Sequence, residues 1–219
     1  MFPIGDDDST VGTTPVVTYA LIVANVLFFL VELSAGDAFV EKWAFIPSHF
    51  SQSPATEWPT IFTAMFMHGG WMHLFGNMLY LYIFGDNVED NLGPVKYLAF
   101  YLTAGIAATF AQYVFNEGSN IPNVGASGAI AGVLGAYILM FPKSRVDVLV
   151  IRQVISMPAV VVIGFWIVLQ LFSGVGSMAE TGETADTGGI AYMAHVGGFA
   201  AGFLIALLFR KRGGPSRTA

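Results

Sequence analysis

Six long stretches of the chain contain no Asp, Glu, Lys or Arg, and they cover residues 9–31, 58–85, 97–116, 118–142, 153–179 and 187–209. Each stretch, as a helix rising about 1.5 Å per residue, can cross a hydrocarbon layer of roughly 30 Å. A soluble protein with several buried helices is the alternative, but soluble domains carry about 25% charged residues and this chain carries 11%. The pattern therefore predicts an all-α, polytopic membrane protein with six transmembrane helices.

The basic residues lie almost entirely on one side of this predicted bundle. Of the nine Lys and Arg residues, only Lys42 falls on the other side. Basic loops stay in the cytoplasm, so both termini are expected there, and a prokaryotic plasma membrane is the expected location. The predicted parts are a cytoplasmic N-terminal tail (1–14), a six-helix domain (15–209) and a basic cytoplasmic C-terminal tail (210–219), of which residues 213–219 are expected to be disordered.

Two outer loops differ in composition. The first, residues 32–57, is semi-apolar and is expected to lie in the membrane interface, whereas the last, residues 173–189, is rich in Gly, Ser, Thr and acidic residues and is expected to be mobile.

The net charge of −6 comes from acidic loops. The expected surroundings are the lipid bilayer, and no nucleic-acid partner is expected.

The charge-free stretches exclude several kinds of membrane enzyme. An intramembrane aspartyl protease needs two carboxylates in its helices, a serine–lysine hydrolase needs a buried lysine, and one class of zinc protease needs His-Glu-x-x-His. These stretches offer none of them, and the chain has no cysteine. A hydroxyl activated by an imidazole remains.

Ser127 is the candidate nucleophile. In Gly125-Ala126-Ser127-Gly128 the glycines permit a sharp turn, and the helix that follows presents unpaired N–H groups and a positive dipole end. These features suit the oxyanion formed in acyl transfer. A serine that only caps a glycine-rich packing helix is the alternative.

His195 is the candidate general base. It shares one helical face with Gly198 and Gly202, three and seven residues further on. Gly128 and Gly132 form a matching stripe in the fourth helix, and such small-residue faces let two helices approach closely. This packing would bring His195 within hydrogen-bond reach of the candidate serine, although a lone histidine on such a face can also be purely structural.

The second stretch holds His68, His73 and Asn77. His73 and Asn77, four residues apart, share a helical face, whereas His68 would point away from them on an unbroken helix. The two glycines after His68 would end that helix and let His68 fold back, so its imidazole and the Asn77 amide are expected to act as oxyanion donors. A metal or haem site formed by the paired histidines is the alternative.

The candidate residues also agree in depth. His68, Ser127 and His195 are the eleventh, tenth and ninth residues of their stretches, and all three helices are predicted to enter from outside. They should therefore converge roughly 10–15 Å below the outer surface.

Four motifs follow one another along the chain. They are His68-Gly-x-x-x-His73-x-x-x-Asn77-Met78, Gly85-x-x-x-Glu89-x-x-x-Gly93, Gly125-x-Ser127-Gly128 and Ala194-His195-x-x-Gly198-x-x-x-Gly202. Together they resemble those of the rhomboid intramembrane serine proteases, over residues 15–209. The resemblance implies a Ser127–His195 dyad without an acidic third member. It also implies an oxyanion site made of His68, Asn77 and the Ser127 backbone N–H, supported by His73.

The resemblance further implies a substrate class and a route of entry. The expected substrates are single-span or polytopic membrane proteins, cleaved near the outer membrane face at small P1 residues beside a destabilised helical segment. No cofactor and no metal are expected. The fifth helix, with Phe165 and Trp166, is expected to act as a lateral gate, so smaller side chains at Trp166 should raise turnover.

Two positions depart from the family pattern. Many members carry Trp-Arg in the first loop, where this chain has Trp58-Pro59-Thr60, and many carry an aromatic residue four positions after the nucleophile, where this chain has Ala131. The second departure predicts that His195 is held less firmly and that the catalytic rate is affected.

Two functions of other classes remain as alternatives. A non-catalytic, rhomboid-like binding or chaperone protein would lack the serine or the histidine, and both are present. A channel or transporter would carry polar residues through the full membrane thickness, whereas the inner halves of the fourth and sixth helices are apolar.

Overall fold

A computed structural model describes residues 2–7, 11–179 and 191–209, and within these ranges the chain is mostly helical. The helices are α1 (Val16–Ala35), α2 (Asp37–Trp43), α3 (Pro47–Gln52), α4 (Pro54–Glu57), α5 (Thr60–Thr63), α6 (Trp71–Leu92), α7 (Pro94–Phe115), α8 (Ser127–Met140), α9 (Ala159–Ala179) and α10 (Tyr192–Phe209). A 3-10 turn, Ala64–Phe66, follows α5, and the strands are β1 (Phe2–Asp6), β2 (Arg145–Val150) and β3 (Gln153–Pro158).

Among the described residues, three helices are long and apolar enough to cross a membrane, namely α1, α7 and α10. Helix α8 and the Ala159–Gly174 part of α9 are shorter apolar helices. Helix α6 has 22 residues, and its last two turns carry Asp86, Glu89 and Asp90. The chain is thus a mostly helical, multi-pass membrane protein. Most of the last outer loop and the predicted C-terminal tail lie outside the described residues.

The prediction of an all-α fold was wrong in one respect, because the structure contains a three-stranded antiparallel sheet in the order β1-β2-β3. The side chains of β2 alternate, with Val146 and Val148 fully buried, and β2 pairs with β3 from Arg145↔Pro158 to Val150↔Gln153. Strand β1 pairs with β2 on its other edge, so the predicted N-terminal tail begins as part of this sheet. A search for stretches without charged residues could not detect this hairpin, because its turn, at residues 151–152, interrupts such a stretch.

Several helices begin later than the charge-free stretches. Helix α8 begins at Ser127 and not at residue 118, because residues 118–126 contain Gly, Ser, Asn and Pro and form a loop. Helix α9 begins at Ala159, after β3. Helix α6 begins at Trp71, directly after the two glycines, which is the break that the sequence predicts there.

A buried carboxylate holds α1 to α6. Glu89 of α6 is 2% exposed and accepts hydrogen bonds from the backbone N–H groups of Val17 and Thr18 at 2.9 and 2.7 Å, and from Thr18 Oγ1 at 2.8 Å. These are N–H groups of the first turn of α1, which have no acceptor within the helix. The Gly85…Glu89…Gly93 motif thus places an acceptor at the start of α1.

Helices α8 and α10 approach so closely that their contact leaves no room for side chains. A Cβ atom at Gly198 would lie 2.0 Å from the carbonyl oxygen of Gly128, and one at Gly202 would lie 2.0 Å from that of Gly132. Glycines on both helices therefore permit the backbones to touch. This contact fixes the relative position of the two helices that carry Ser127 and His195.

The first loop and the residues directly after it form a packed, mostly helical segment, α2 to α5. Phe45 and Asn123 form an isolated antiparallel bridge, and Ser48 Oγ donates to Asn120 Oδ1 at 2.6 Å. The Gly125 N–H donates to the Ala64 carbonyl oxygen at 2.9 Å. These bonds attach the loop to residues 119–125, directly before Ser127, although the loop lacks the Trp-Arg pair that many family members carry.

Candidate active site

Ser127 and His195 form a hydrogen bond. Ser127 is the first residue of α8, and its Oγ lies 2.8 Å from Nε2 of His195, which is 8% exposed on α10. The N-cap position of α8 is held by Ala126 and not by Ser127, contrary to the capping alternative. The close α8–α10 contact thus puts a hydroxyl beside an imidazole, the arrangement of a nucleophile and its base.

A residue that sequence reasoning missed completes this pair. Gln170 of α9 places its Oε1 2.8 Å from His195 Nδ1. An amide oxygen can only accept a hydrogen bond, so Nδ1 carries the proton in the neutral ring and Nε2 is free to accept from Ser127. The imidazole is therefore held in the tautomer that a general base requires.

The aromatic ring beside His195 comes from α9. The Trp166 ring centroid lies 5.7 Å from that of His195, with an interplanar angle of 38°. Ala131 of α8, at the position where an aromatic residue was expected, is fully buried and too small for this contact. Because Trp166 packs on the base, a smaller residue there would also remove a neighbour of His195, which opposes the gain in turnover expected from a wider gate.

His73, and not His68, lies beside the nucleophile turn. A Cβ built on Gly125 would lie 2.9 Å from His73 Nε2 and 3.6 Å from Ser127 Oγ. Gly125 has φ +128°, a backbone conformation that residues with side chains rarely adopt, and the space beside it is filled. Glycine is therefore suited to this position for both reasons. His73 Nδ1 accepts from the Gly69 N–H at 3.4 Å, which leaves the ring proton on Nε2, the nitrogen beside Gly125.

Asn77 and His68 occupy different surroundings. Asn77, one turn after His73 on α6, is 7% exposed, and its Nδ2 has no hydrogen-bond partner within the described part of the chain. His68 is 1% exposed, with its ring against Phe29 at 6.3 Å and His73 at 5.1 Å between centroids. His68 therefore lies in the protein interior, behind His73. There the Glu32 carboxylate accepts a hydrogen bond from the backbone N–H of His68 at 2.9 Å.

Glu32 corrects a further expectation, that the spans contain no carboxylate. Helix α1 extends to Ala35, so Glu32 lies in its last turn and is 7% exposed. Its bond to the backbone of His68 holds the segment that precedes α6. The carboxylate therefore has a structural contact, and the hydrogen bonds described for His195 involve Ser127 and Gln170 instead.

A cavity of about 40 Å³ adjoins Ser127. Its lining is rich in small side chains and in glycine, including Gly105, Ala108, Gly128 and Ala194. A space of this size accepts a small side chain. In the described residues, no group of three His, Cys, Asp or Glu side chains could hold a metal ion.

Fold and site together define a helical membrane protein with a serine–histidine pair. A family model described as the rhomboid domain matches residues 55–212. The chain belongs to the rhomboid family, which confirms the resemblance of its motifs.

Two bacterial proteins and one from yeast illustrate the relationship. Rhomboid protease GluP of Bacillus subtilis is 38% identical over 133 residues, 60% of this chain and 26% of GluP. YdcA of the same organism, named as a candidate rhomboid protease, is 30% identical over 89% of this chain and 88% of its own length. The mitochondrial rhomboid protein 1 of Saccharomyces cerevisiae is 28% identical over 85% of this chain and 51% of that protein. The chain thus spans nearly all of YdcA and about a quarter of GluP.

Proposed function

We propose that this chain is an intramembrane serine endopeptidase that cleaves membrane proteins through an acyl-enzyme intermediate. The observation that carries the proposal is the 2.8 Å hydrogen bond between Ser127 Oγ and His195 Nε2. Membership of a family whose relatives are named as proteases supports it.

In the proposed mechanism His195 Nε2 takes the proton of Ser127 Oγ while Oγ attacks a backbone carbonyl carbon of the substrate. The imidazolium then gives this proton to the leaving amine, and the acyl-enzyme is formed. A water molecule, deprotonated by the same nitrogen, hydrolyses the ester and regenerates the serine. General acid–base catalysis of this kind contributes about 10²–10⁴ in rate.

The oxyanion that forms during attack would be stabilised by three donors. They are the Ser127 backbone N–H, the Asn77 amide and Nε2–H of His73. Two observations favour His73 over His68: its Nε2 lies beside Gly125, in the turn that precedes Ser127, and its other nitrogen already accepts from Gly69. His68 would support His73 from behind.

The small cavity beside Ser127 supports a preference for small P1 residues, because about 40 Å³ accommodates little more than a methyl or hydroxymethyl group. Six transmembrane helices, cytoplasmic termini in a prokaryotic plasma membrane, and a site open to the outer face complete the proposal. The basic-residue distribution supports this orientation. The expected substrates are single-span or polytopic membrane proteins, and no cofactor is involved.

The proposal is tested with full-length protein reconstituted in lipid vesicles together with a single-span model substrate. Cleavage by the wild type and its loss, by at least about 10³-fold, in Ser127→Ala and His195→Ala are the expected results. A fluorophosphonate probe should label the wild type and not Ser127→Ala. Equal cleavage by wild type and Ser127→Ala would overturn the proposal. No cleavage and no labelling of the wild type would favour a non-catalytic, rhomboid-like binding protein.

A further inference from the structure

Gln170 is a polar residue in an otherwise apolar part of α9. Residues 159–172 of α9 are apolar or glycine apart from this one amide, and much of the helix surface is exposed, as expected for a lipid-facing helix. The side chain of Gln170 is half-buried, and its oxygen is directed at His195 Nδ1. A polar group within a membrane helix is costly to place there, so its contact indicates a specific role.

We propose that Gln170 is a positioning residue for the general base, an inference that rests on the proposed protease function. By accepting a hydrogen bond from Nδ1–H, the amide oxygen keeps Nε2 unprotonated and aimed at Ser127. When Nε2 takes the serine proton, the resulting imidazolium retains its Nδ1–H bond to the same oxygen, so no rearrangement is needed during the transfer. Gln170 thus performs with a neutral amide the orienting task that an acidic residue performs in a catalytic triad.

Trp166 extends this support. Trp166 and Gln170 are four residues apart and lie on the face of α9 that is turned to α10, so one helix face contacts both the ring and the Nδ1 atom of His195. Within α8, Ala131 offers His195 no comparable ring. The support of the base therefore comes from α9, and not from the helix that carries the nucleophile.

The groups around His195 come from three elements. Ser127 of α8 contacts Nε2, Gln170 contacts Nδ1, and Trp166 contacts the ring. Of these contacts, the one to Gln170 sets which nitrogen is protonated, because its Oε1 only accepts, whereas the serine hydroxyl can either donate or accept. Replacing Gln170 should therefore change the tautomer and leave the fold in place.

The test compares Gln170→Met, which keeps the shape and removes the acceptor oxygen, with Gln170→Glu, which keeps an acceptor oxygen. In reconstituted vesicles, Gln170→Met is expected to lower kcat about tenfold with KM unchanged, the loss of one hydrogen bond made to the base. Gln170→Glu is expected to restore most of kcat. Equal kcat for Gln170→Met and wild type, or equal loss in both variants, would overturn the inference.

A spectroscopic readout separates this inference from the protease proposal. In protein labelled with ¹⁵N-histidine, the ring signals of His195 are those missing from His195→Ala. The wild type should show the Nδ1-protonated tautomer, and Gln170→Met should show a mixture with the Nε2-protonated form. Identical tautomer populations would contradict the inference whether or not the protein cleaves a substrate. Conversely, if wild type and Ser127→Ala do not differ in cleavage, the protease proposal fails while the tautomer measurement still decides the role of Gln170.

Discussion

The polar residues around Ser127 come from two directions. His195 and Gln170, from α10 and α9, form a hydrogen-bonded chain that ends at the serine oxygen. His73 and Asn77, one turn apart on α6, offer N–H groups with no role in that chain. The first group can remove a proton, and the second can stabilise a negative oxygen. This division gives each side chain a separate effect on the reaction.

The two groups predict different kinetics. Replacing Asn77 or His73 by Ala should lower kcat by about 10²–10³ and leave KM nearly unchanged, because an oxyanion donor acts mainly in the transition state. The measurement is the steady-state rate of substrate cleavage in vesicles. Asn91→Ala, an exposed position near the end of the same helix, is the matched control and should behave as wild type. A wild-type kcat for His73→Ala would remove His73 from the oxyanion site.

The residues of the candidate site also show which of its features could be predicted from the sequence. Ser127 and His195 could be paired because glycines mark the faces that bring their helices together. The expected oxyanion donor is His68, with His73 in support, whereas the geometry favours His73. Helical periodicity fails at a glycine break, and the path of the chain before Trp71 decides which ring lies beside the nucleophile turn. Gln170 was missed because charged residues alone were counted in the apolar stretches, although a lone amide in such a stretch is a usable signal.

At the scale of elements, contacts between helix backbones set the geometry of the site. Helices α8 and α10 touch through Gly128, Gly132, Gly198 and Gly202, and α9 packs against α10. A mostly helical membrane protein could be predicted from the charge-free stretches, but the starts of α8 and α9 could not. Those starts depend on Pro, Gly and Asn in a loop and on pairing between β2 and β3, which a hydropathy pattern does not record.

The α8–α10 contact predicts a strong effect of a single methyl group. Gly202→Ala would bring a Cβ to 2.0 Å from the Gly132 carbonyl oxygen and so force the helices apart. The expected loss in free energy of unfolding is about 1–3 kcal/mol, with a fall in cleavage as Ser127 and His195 separate. Unfolding in detergent micelles measures the first effect. Gly164→Ala, where a Cβ meets nothing within 4 Å, is the control and should keep or slightly raise stability. Equal stability of the two variants would contradict this account.

Helix α9 predicts opposite results at two adjacent positions. Phe165 is exposed, whereas Trp166 contacts His195, and both line a cavity of about 110 Å³ with Tyr80 of α6. If α9 is a lateral gate, Phe165→Ala should raise cleavage of a membrane-embedded substrate and leave cleavage of a short soluble peptide unchanged. Trp166→Ala should lower both, because the base loses its neighbour. Higher rates in Trp166→Ala would instead favour a purely gating role for this side chain.

At the scale of the whole molecule, the sheet links the start of the chain to the helical bundle. Strand β1 packs along α6, where the Phe2 ring stacks with Phe75 at 6.5 Å. Asp6 Oδ2 accepts hydrogen bonds from Asn87 of α6 and from Tyr137 of α8. Strand β3 runs directly into α9. The sheet thus connects α6 and α9 on the side of the bundle that holds the cavity of about 110 Å³.

The orientation of the whole protein can be tested directly because the chain has no cysteine. Lys42→Cys and Lys143→Cys each introduce one exposed thiol, on opposite sides according to the basic-residue distribution. A membrane-impermeant maleimide should label Lys42→Cys in intact cells and Lys143→Cys only after permeabilisation. The reverse pattern would invert the proposed topology, and labelling of both in intact cells would contradict the number of membrane crossings between them.

The contacts of Gln170 and Trp166 with His195 also affect the order of substrate entry and bond cleavage. Any displacement of α9 wide enough to admit a polypeptide from the lipid would carry both residues away from the imidazole. Admission and bond cleavage would then be successive events, and the enzyme would be chemically idle until the helix returned. Turnover would follow the slow motion of one helix and would change with bilayer thickness and stiffness, even though neither touches the reacting atoms.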